Sequence, residues 1–172
     1  MNETPQQYTA RILHNLNNED PLKVQAATPQ KLAHLIEGRR GALLRKQPAP
    51  GKWSVAEILA HLADSEVATS WRIRQIIGAP ATVIQAYDQD AWAAAGHYAD
   101  REPRASVELF SALREANLAL FESLTPEQWN HYGLHAERGK ETIEMIARLT
   151  AGHDLNHLKR IEELLAKPKR KS

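Results

Sequence analysis

The amino-acid sequence predicts an all-α protein, a bundle of four long helices with a long irregular connection and short extra helices. Three observations carry this expectation. Apolar residues recur every three or four positions along most of the chain, the spacing that lines one face of a helix. Prolines, glycines and capping residues cut that pattern into segments of helical length. No run alternates apolar and polar residues long enough for a secure strand; "ATVIQAY" is the single candidate, short and isolated.

The elements follow in order. Residues 5 to 17 read as a short amphipathic helix with Tyr8, Ile12, Leu13 and Leu16 at helical spacing, and "NNEDP" ends it. Thr28-Pro29 reads as an N-cap followed by proline at the first helical position. The helix it opens carries Leu32, Leu35, Ile36, Leu43 and Leu44. "KQPAPGK", 46 to 52, is a loop. Ser54 and Glu57 then form a capping box, with Trp53 and Ile58 placed for a hydrophobic staple. That helix runs to about Ile77, where Gly78 and Pro80 stop it. Residues 78 to 104 are the least regular part, with one helical turn in "YDQDAW"; a connection of this length is often functional, as a lid or pocket wall. A helix from Ser106 to Leu124 turns Val107, Phe110, Leu113, Leu120 and Leu124 inward. Thr125-Pro126 opens a short turn, "YGLHAERGK" is a loop, and the last helix spans 141 to 166. The tail, "KPKRKS", is basic and is expected to fray.

The 172 residues fit one domain spanning 1–172, large enough to bury a core without covalent staples. A formal net charge of +1 gives no global field for nucleic acid or membrane. The absence of cysteine excludes disulfides, thiolate metal ligands and a cysteine nucleophile. The N-terminus carries no secretory pattern and no stretch is apolar enough to span a bilayer, so a cytoplasmic protein is expected.

The chemistry concentrates in "GHDLNH". His153 and His157 stand four apart, on one helical face, a spacing that lets two imidazoles converge on one metal ion. Ile143, Ile146, Thr150, His153, His157, Ile161 and Leu164 step by three or four, so the histidines continue the apolar stripe. Inward histidines are often ordinary core residues, and a third donor is the test. His61 meets it: Ile58, His61, Leu62, Ser65 and Ala68 share a face of another helix. Bundle metal sites are built from facing helices in this way. Three neutral imidazoles suit zinc, nickel, copper or iron(II) and leave positions open, the pattern of a catalytic site. His131 and His135 are also four apart, but Gly133 lies between them in loop-like sequence. His14 and His34 read as surface or partly buried, and His97 lies in the irregular segment. Glu57 is accounted for by the capping box. Asp64, Glu66 and Asp154 read as solvated or paired charges that could orient a ligand histidine. Trp71, Trp92 and Trp129 read as packing anchors.

"WSVAEILAHLADSE", followed far downstream by "LTAGHDLNHLKRIEELL", resembles the DinB superfamily, specifically its YfiT-like branch. "YDQDAW" and "DPLKVQAATPQKLAHLIEG" resemble that branch too, so most of the chain is covered. The resemblance implies a four-helix bundle with a three-histidine metal site whose ligands fall on His61, His153 and His157, occupied by nickel or zinc. It further implies a homodimer and, in some members, transfer of a low-molecular-weight thiol to an electrophile. Thiol S-transfer is therefore the expected activity on a small-molecule substrate. A metal-dependent hydrolase is the first alternative and a non-catalytic stress-response metal-binding module the second. With no carboxylate clearly placed as a general base, the sequence leans toward the thiol.

Overall fold

The computed structural model describes residues 3–166, so the basic tail lies outside it. Helix α1 (Pro5–Leu16) begins in a capping box between Thr4 and Gln7. It ends at Asn17 and Asn18, both at positive φ, a conformation that asparagine tolerates better than most residues.

The second helix starts well before Thr28. Asp20 is its N-cap, accepting from the Leu22 and Lys23 N–H groups, and Pro21 takes the first helical position. Helix α2 (Pro21–Ile36) therefore carries Pro29 in its interior. Proline has no N–H to offer the carbonyl four residues back. That carbonyl, on Gln25, instead accepts from Arg114 Nη1 at 3.2 Å. The Thr28 hydroxyl, expected as a cap, donates to the Val24 carbonyl. Gly38 turns the chain at φ 67°, so Leu43 and Leu44 sit on a separate turn, α3 (Gly41–Leu44).

The capping box of α4 (Val55–Gly78) is present as predicted. Glu57 accepts from the Ser54 N–H at 2.7 Å and Ser54 from the Glu57 N–H at 3.3 Å. Trp53 packs on the cluster that contains Ile58. The connection from 78 to 104 is a chain of short elements: β1 (Val83–Ile84), α5 (Gln89–Ala95) and a 3₁₀ turn, Tyr98–Asp100. Helices α6 (Pro103–Glu122) and α7 (Pro126–Trp129) follow.

"YGLHAERGK" is not a loop. Most of it forms a hairpin of β2 (Tyr132–His135) and β3 (Gly139–Thr142), with β1 parallel to β2. Strands of four and two residues are too short to show a period of two. Gly133 has a packing reason: a Cβ there would lie 2.3 Å from Ile84 Cδ1. Because β3 takes residues up to Thr142, the last helix, α8 (Ile143–Leu165), starts just after it, capped by the Thr142 hydroxyl.

Helices α2, α4, α6 and α8 close a four-helix bundle in which α4 packs on α6, α6 on α2, α2 on α8 and α8 on α4; α1 lies across α8. Two apolar clusters fill it. One gathers Leu32, Leu59, Leu62, Phe110 and Ile161; the other Ile73, Ile76, Ile84, Phe121 and Ile143. Between them on α4, α6 and α8 lies a buried polar layer. Arg114 is 1% exposed and donates to both Glu66 (2%) and Asp154 (1%), bidentate to each. Asn117 Nδ2 donates to Glu66 at 2.8 Å. The inner face of α6 is thus Val107, Phe110, Arg114, Asn117 and Phe121, while Leu113, Leu120 and Leu124 are only half-buried. Of the three tryptophans read as anchors, Trp129 stacks on Phe121 and Trp92 on Tyr87. Trp71 is 64% exposed and anchors nothing. Among the described residues no helix is long and apolar enough to cross a membrane.

The crossing of α1 over α8 depends on Gly152, where an added Cβ would lie 2.1 Å from the Ile12 carbonyl oxygen. Helix propensity alone favours Gly152→Ala by about 1 kcal/mol. The contact is with backbone, which cannot turn aside as a side chain does. Gly152→Ala is therefore expected to destabilise by about 1–3 kcal/mol. Urea unfolding checks this, and a gain in stability would show that α1 does not hold this position.

Candidate metal centre

The packing of α4 against α8 brings His61, His153 and His157 together. Nε2 of His153 lies 3.1 Å from Nε2 of His61 and 3.1 Å from Nε2 of His157. One ring nitrogen from each lies within 4.8 Å of the others. His61 is 2% exposed, and the α8 pair is half-buried at the flank of its helix. The innermost line of α8 passes instead through Thr150, Asp154, Leu158 and Ile161. The Trp53 ring, 4.9 Å from that of His61, closes one side of the cluster.

The donor set fits a cation. His153 Nε2 faces two other ring nitrogens, and its one possible N–H can satisfy only one of them. A cation between the three would accept all their lone pairs at once. At metal–nitrogen distances of about 2.0–2.1 Å, tetrahedral ligands stand about 3.3 Å apart, close to the 3.1 Å that separates His153 from each of the other two. Burial pushes His61 down to about 4, against the opposing charge of Asp64. Burial, with His61 beside it, holds His157 at about 3. Burial and both neighbouring histidines hold His153 well below the usual imidazole value. All three rings are therefore neutral at ordinary pH, the form that ligates.

The carboxylates near the cluster are committed elsewhere. Glu57 serves the capping box and accepts from Gln47. Asp64 accepts from Arg101 Nη1 at 2.7 Å and from the Tyr98 hydroxyl at 2.8 Å. Glu66 and Asp154 are paired, and buried rather than solvated. Among the described residues no hydrogen bond joins a carboxylate to His61, His153 or His157. The Nδ1 of His157 is buried without a partner there, so packing and the contact of its Nε2 with His153 orient that ring.

His61 and His153 lie in the wall of a cavity of about 310 Å³. It runs between α4 and α8 along Ser65, Thr69 and Thr150 toward the hairpin, with Tyr8 and Tyr87 at its rim. The segment 78–104 supplies part of the wall, through Ala86, Tyr87 and Gln89. His157 faces a shallower depression beside Trp53 and Asn156. The other histidines are dispersed. His14 and His34 are exposed, and His97 lines a separate depression with Tyr98. His131 and His135 form no pair with each other, but His135 is buried and lines the same cavity as His61 and His153, beside Arg138. Sequence reasoning set His135 aside with His131 and gave no role to Arg72 or Arg138, because no helical spacing links the hairpin to α4.

Comparison with known proteins places this architecture. The model of the DinB superfamily matches residues 26–161, most of the chain. The protein named "Putative metal-dependent hydrolase YfiT" from Bacillus subtilis is 28% identical over 145 residues, 83% of this chain and 81% of that one. A protein of Oceanobacillus iheyensis, also named "Putative metal-dependent hydrolase", is 30% identical over 114 residues, 66% of each chain. The solved structure of Bacillus subtilis YfiT, described as "a probable metal-dependent hydrolase with an unusual four-helix bundle topology", superposes with a TM-score of 0.79 at 26% identity. It covers 84% of this chain and 83% of that one. The match takes in α4 and α8, the two helices that carry the histidines. On sequence and fold together, the chain belongs to the YfiT-like branch of the DinB superfamily.

Proposed function

We propose that the chain is a metal-dependent enzyme in which His61, His153 and His157 hold one divalent transition metal, zinc or nickel, and that it hydrolyses a small molecule bound in the adjoining cavity. The observation that carries this reading is the convergence of three neutral imidazoles from two facing helices in the wall of a cavity. When bound, the cation would supply the Lewis acidity that makes a water or thiol nucleophilic near neutral pH. The chain's own residues do the rest. Burial keeps the imidazoles unprotonated. Trp53 limits movement of the His61 ring. Leu62, Phe110 and Ile146 make part of the cavity wall apolar, which strengthens electrostatic contacts to a bound substrate. Water as the nucleophile is supported by the names of the relatives, which speak of hydrolysis.

The expected thiol transfer remains as a second reading, favoured by one specific observation. Of the carboxylates along the cavity, Glu3, Glu66, Asp154 and Glu141 are each tied to an arginine, and Glu137 stands exposed on the hairpin turn, away from the three clustered histidines. A thiol bound as thiolate needs less help from a general base than water does. One experiment separates the readings. The zinc- or nickel-loaded protein is given p-nitrophenyl acetate without thiol, and a chloro-nitroarene with and without a low-molecular-weight thiol. Hydrolysis that disappears in His153→Ala supports the hydrolase. Product seen only with thiol, and lost in the same variant, moves the assignment to S-transfer. Turnover that persists in the variant would remove the cluster from the reaction.

A further inference from the structure

The cavity has a second polar pole, at the hairpin end. Nδ1 of His135 accepts two backbone N–H groups, from Glu137 at 3.2 Å and Arg138 at 3.3 Å. A ring nitrogen that accepts carries no proton, so in the neutral imidazole the proton sits on Nε2. That Nε2 is buried and has no partner among the described residues, on a residue only 3% exposed. An unpaired buried donor is costly. His135 lines the cavity, so an acceptor arriving from the cavity is the natural way to satisfy it.

Arg72 lines the same cavity from α4. One nitrogen, Nη2, donates to the Gln85 carbonyl at 2.9 Å. Among the described residues no carboxylate pairs with its charge, whereas Arg138 beside it is engaged by Glu141 through two nitrogens. Burial, and then the charge of Arg138, pull both Arg72 and His135 below their usual values. Both groups would be relieved by a negative charge placed between them. Glu137, also at the cavity, is exposed and meets solvent.

We infer that Arg72 and His135 form a binding site for an oxyanion, carboxylate or phosphate, carried by the substrate at the end remote from the three histidines. This deepens the proposed function and rests on it only for what happens at the other end. His61 and Arg72 are eleven residues apart on α4, about 16 Å along the helix axis. The substrate class is therefore an elongated small molecule whose anionic group stands roughly 10–16 Å from its reacting bond. A neutral ester or amide lacking that group would bind weakly.

The test uses full-length protein freed of metal by chelation, so that it stands apart from the metal reading. Inorganic phosphate, a monocarboxylate such as hexanoate and the neutral hexanamide are titrated separately and followed by ¹⁵N NMR, including the side chains of Arg72 and His135. One or both anions, but not the amide, should shift signals of residues 132–138 and of Arg72, and whichever binds names the class. His135 should show the Nε2–H tautomer. Arg72→Gln should weaken anion binding roughly tenfold or more, the usual loss for a charged hydrogen bond. Arg72→Lys should restore part of it. His135→Asn, which keeps a side-chain acceptor for the turn but loses the Nε2 donor, should weaken it as well. Metal content after reloading should be unchanged in all three. Anion binding equal in wild type and Arg72→Gln, or seen only with metal present, would overturn the site. So would hexanamide binding as well as the anions. Failure of the hydrolase and thiol assays, with these shifts intact, would leave the site standing and remove only the reaction.

Discussion

Arg114→Ala is expected to destabilise the protein by about 3–5 kcal/mol. The guanidinium lies in the bundle core and is bidentate to Glu66 from α4 and to Asp154 from α8, and it also donates to the α2 carbonyl that Pro29 leaves free. It therefore ties three helices to the one that carries it. Burial alone would lower its pKa, but the two carboxylates outweigh burial and raise it, so it stays charged. Removing it strands two carboxylates that are 2% and 1% exposed, and an unpaired buried charge is among the costliest defects a core can hold. The sign is different when the whole layer is replaced. A Glu66→Met, Arg114→Met, Asp154→Leu triple variant should recover most of the loss, because apolar groups of similar volume need no pairing. Urea unfolding of both variants checks this. A loss below about 1 kcal/mol in Arg114→Ala would mean that water reaches the layer and that the network does not hold the bundle together.

That same layer marks where sequence reasoning stops. The capping box at Ser54 and Glu57 is local and marks where α4 starts, and the shared face of Ile58, Leu62, Ser65 and Ala68 turned His61 inward. The spacing of His153 and His157 put both on one face of α8, in line with its apolar stripe. Three residues on two helices were thus legible from local signals. Arg114 was not. Its partners lie 48 and 40 residues away, and a charged residue at an inward spacing reads as a solvent face until its counter-charges are seen. Thr28-Pro29 misled for a related reason. The pair imitates a helix start, but the proline is tolerated inside α2 because Arg114 occupies the carbonyl it frees. The hairpin was missed because its strands are too short for a period, and with it the place of His135 at the cavity, since its tautomer is set by a turn that only the folded chain has.

The three-histidine cluster carries the other large expectation. Untagged wild-type protein, incubated with zinc or nickel and passed over a desalting column, should retain about one metal per chain by mass spectrometry. His61→Ala, His153→Ala and His157→Ala should each lose it, by more than the roughly 10–100-fold that removal of a merely supporting partner costs. Helicity should survive, since the two apolar clusters and the Arg114 layer do not include these rings; unfolding of His61→Ala would instead make the metal a structural element. The effect of acid follows from the same geometry. A proton and a cation compete for one lone pair, and an exposed imidazole would lose the contest near pH 6.5. Here burial holds His61 at about 4 and His157 at about 3, so the neutral, ligating form persists well below that. Metal content should therefore stay level from pH 8 to about pH 5.5 and fall only at lower values. Release centred near pH 6.5 would mean that water solvates these rings and that the cluster is an open surface group. Retention of metal by the alanine variants would show that the ion is bound elsewhere, and the hydrolytic reading would lose the observation on which it stands.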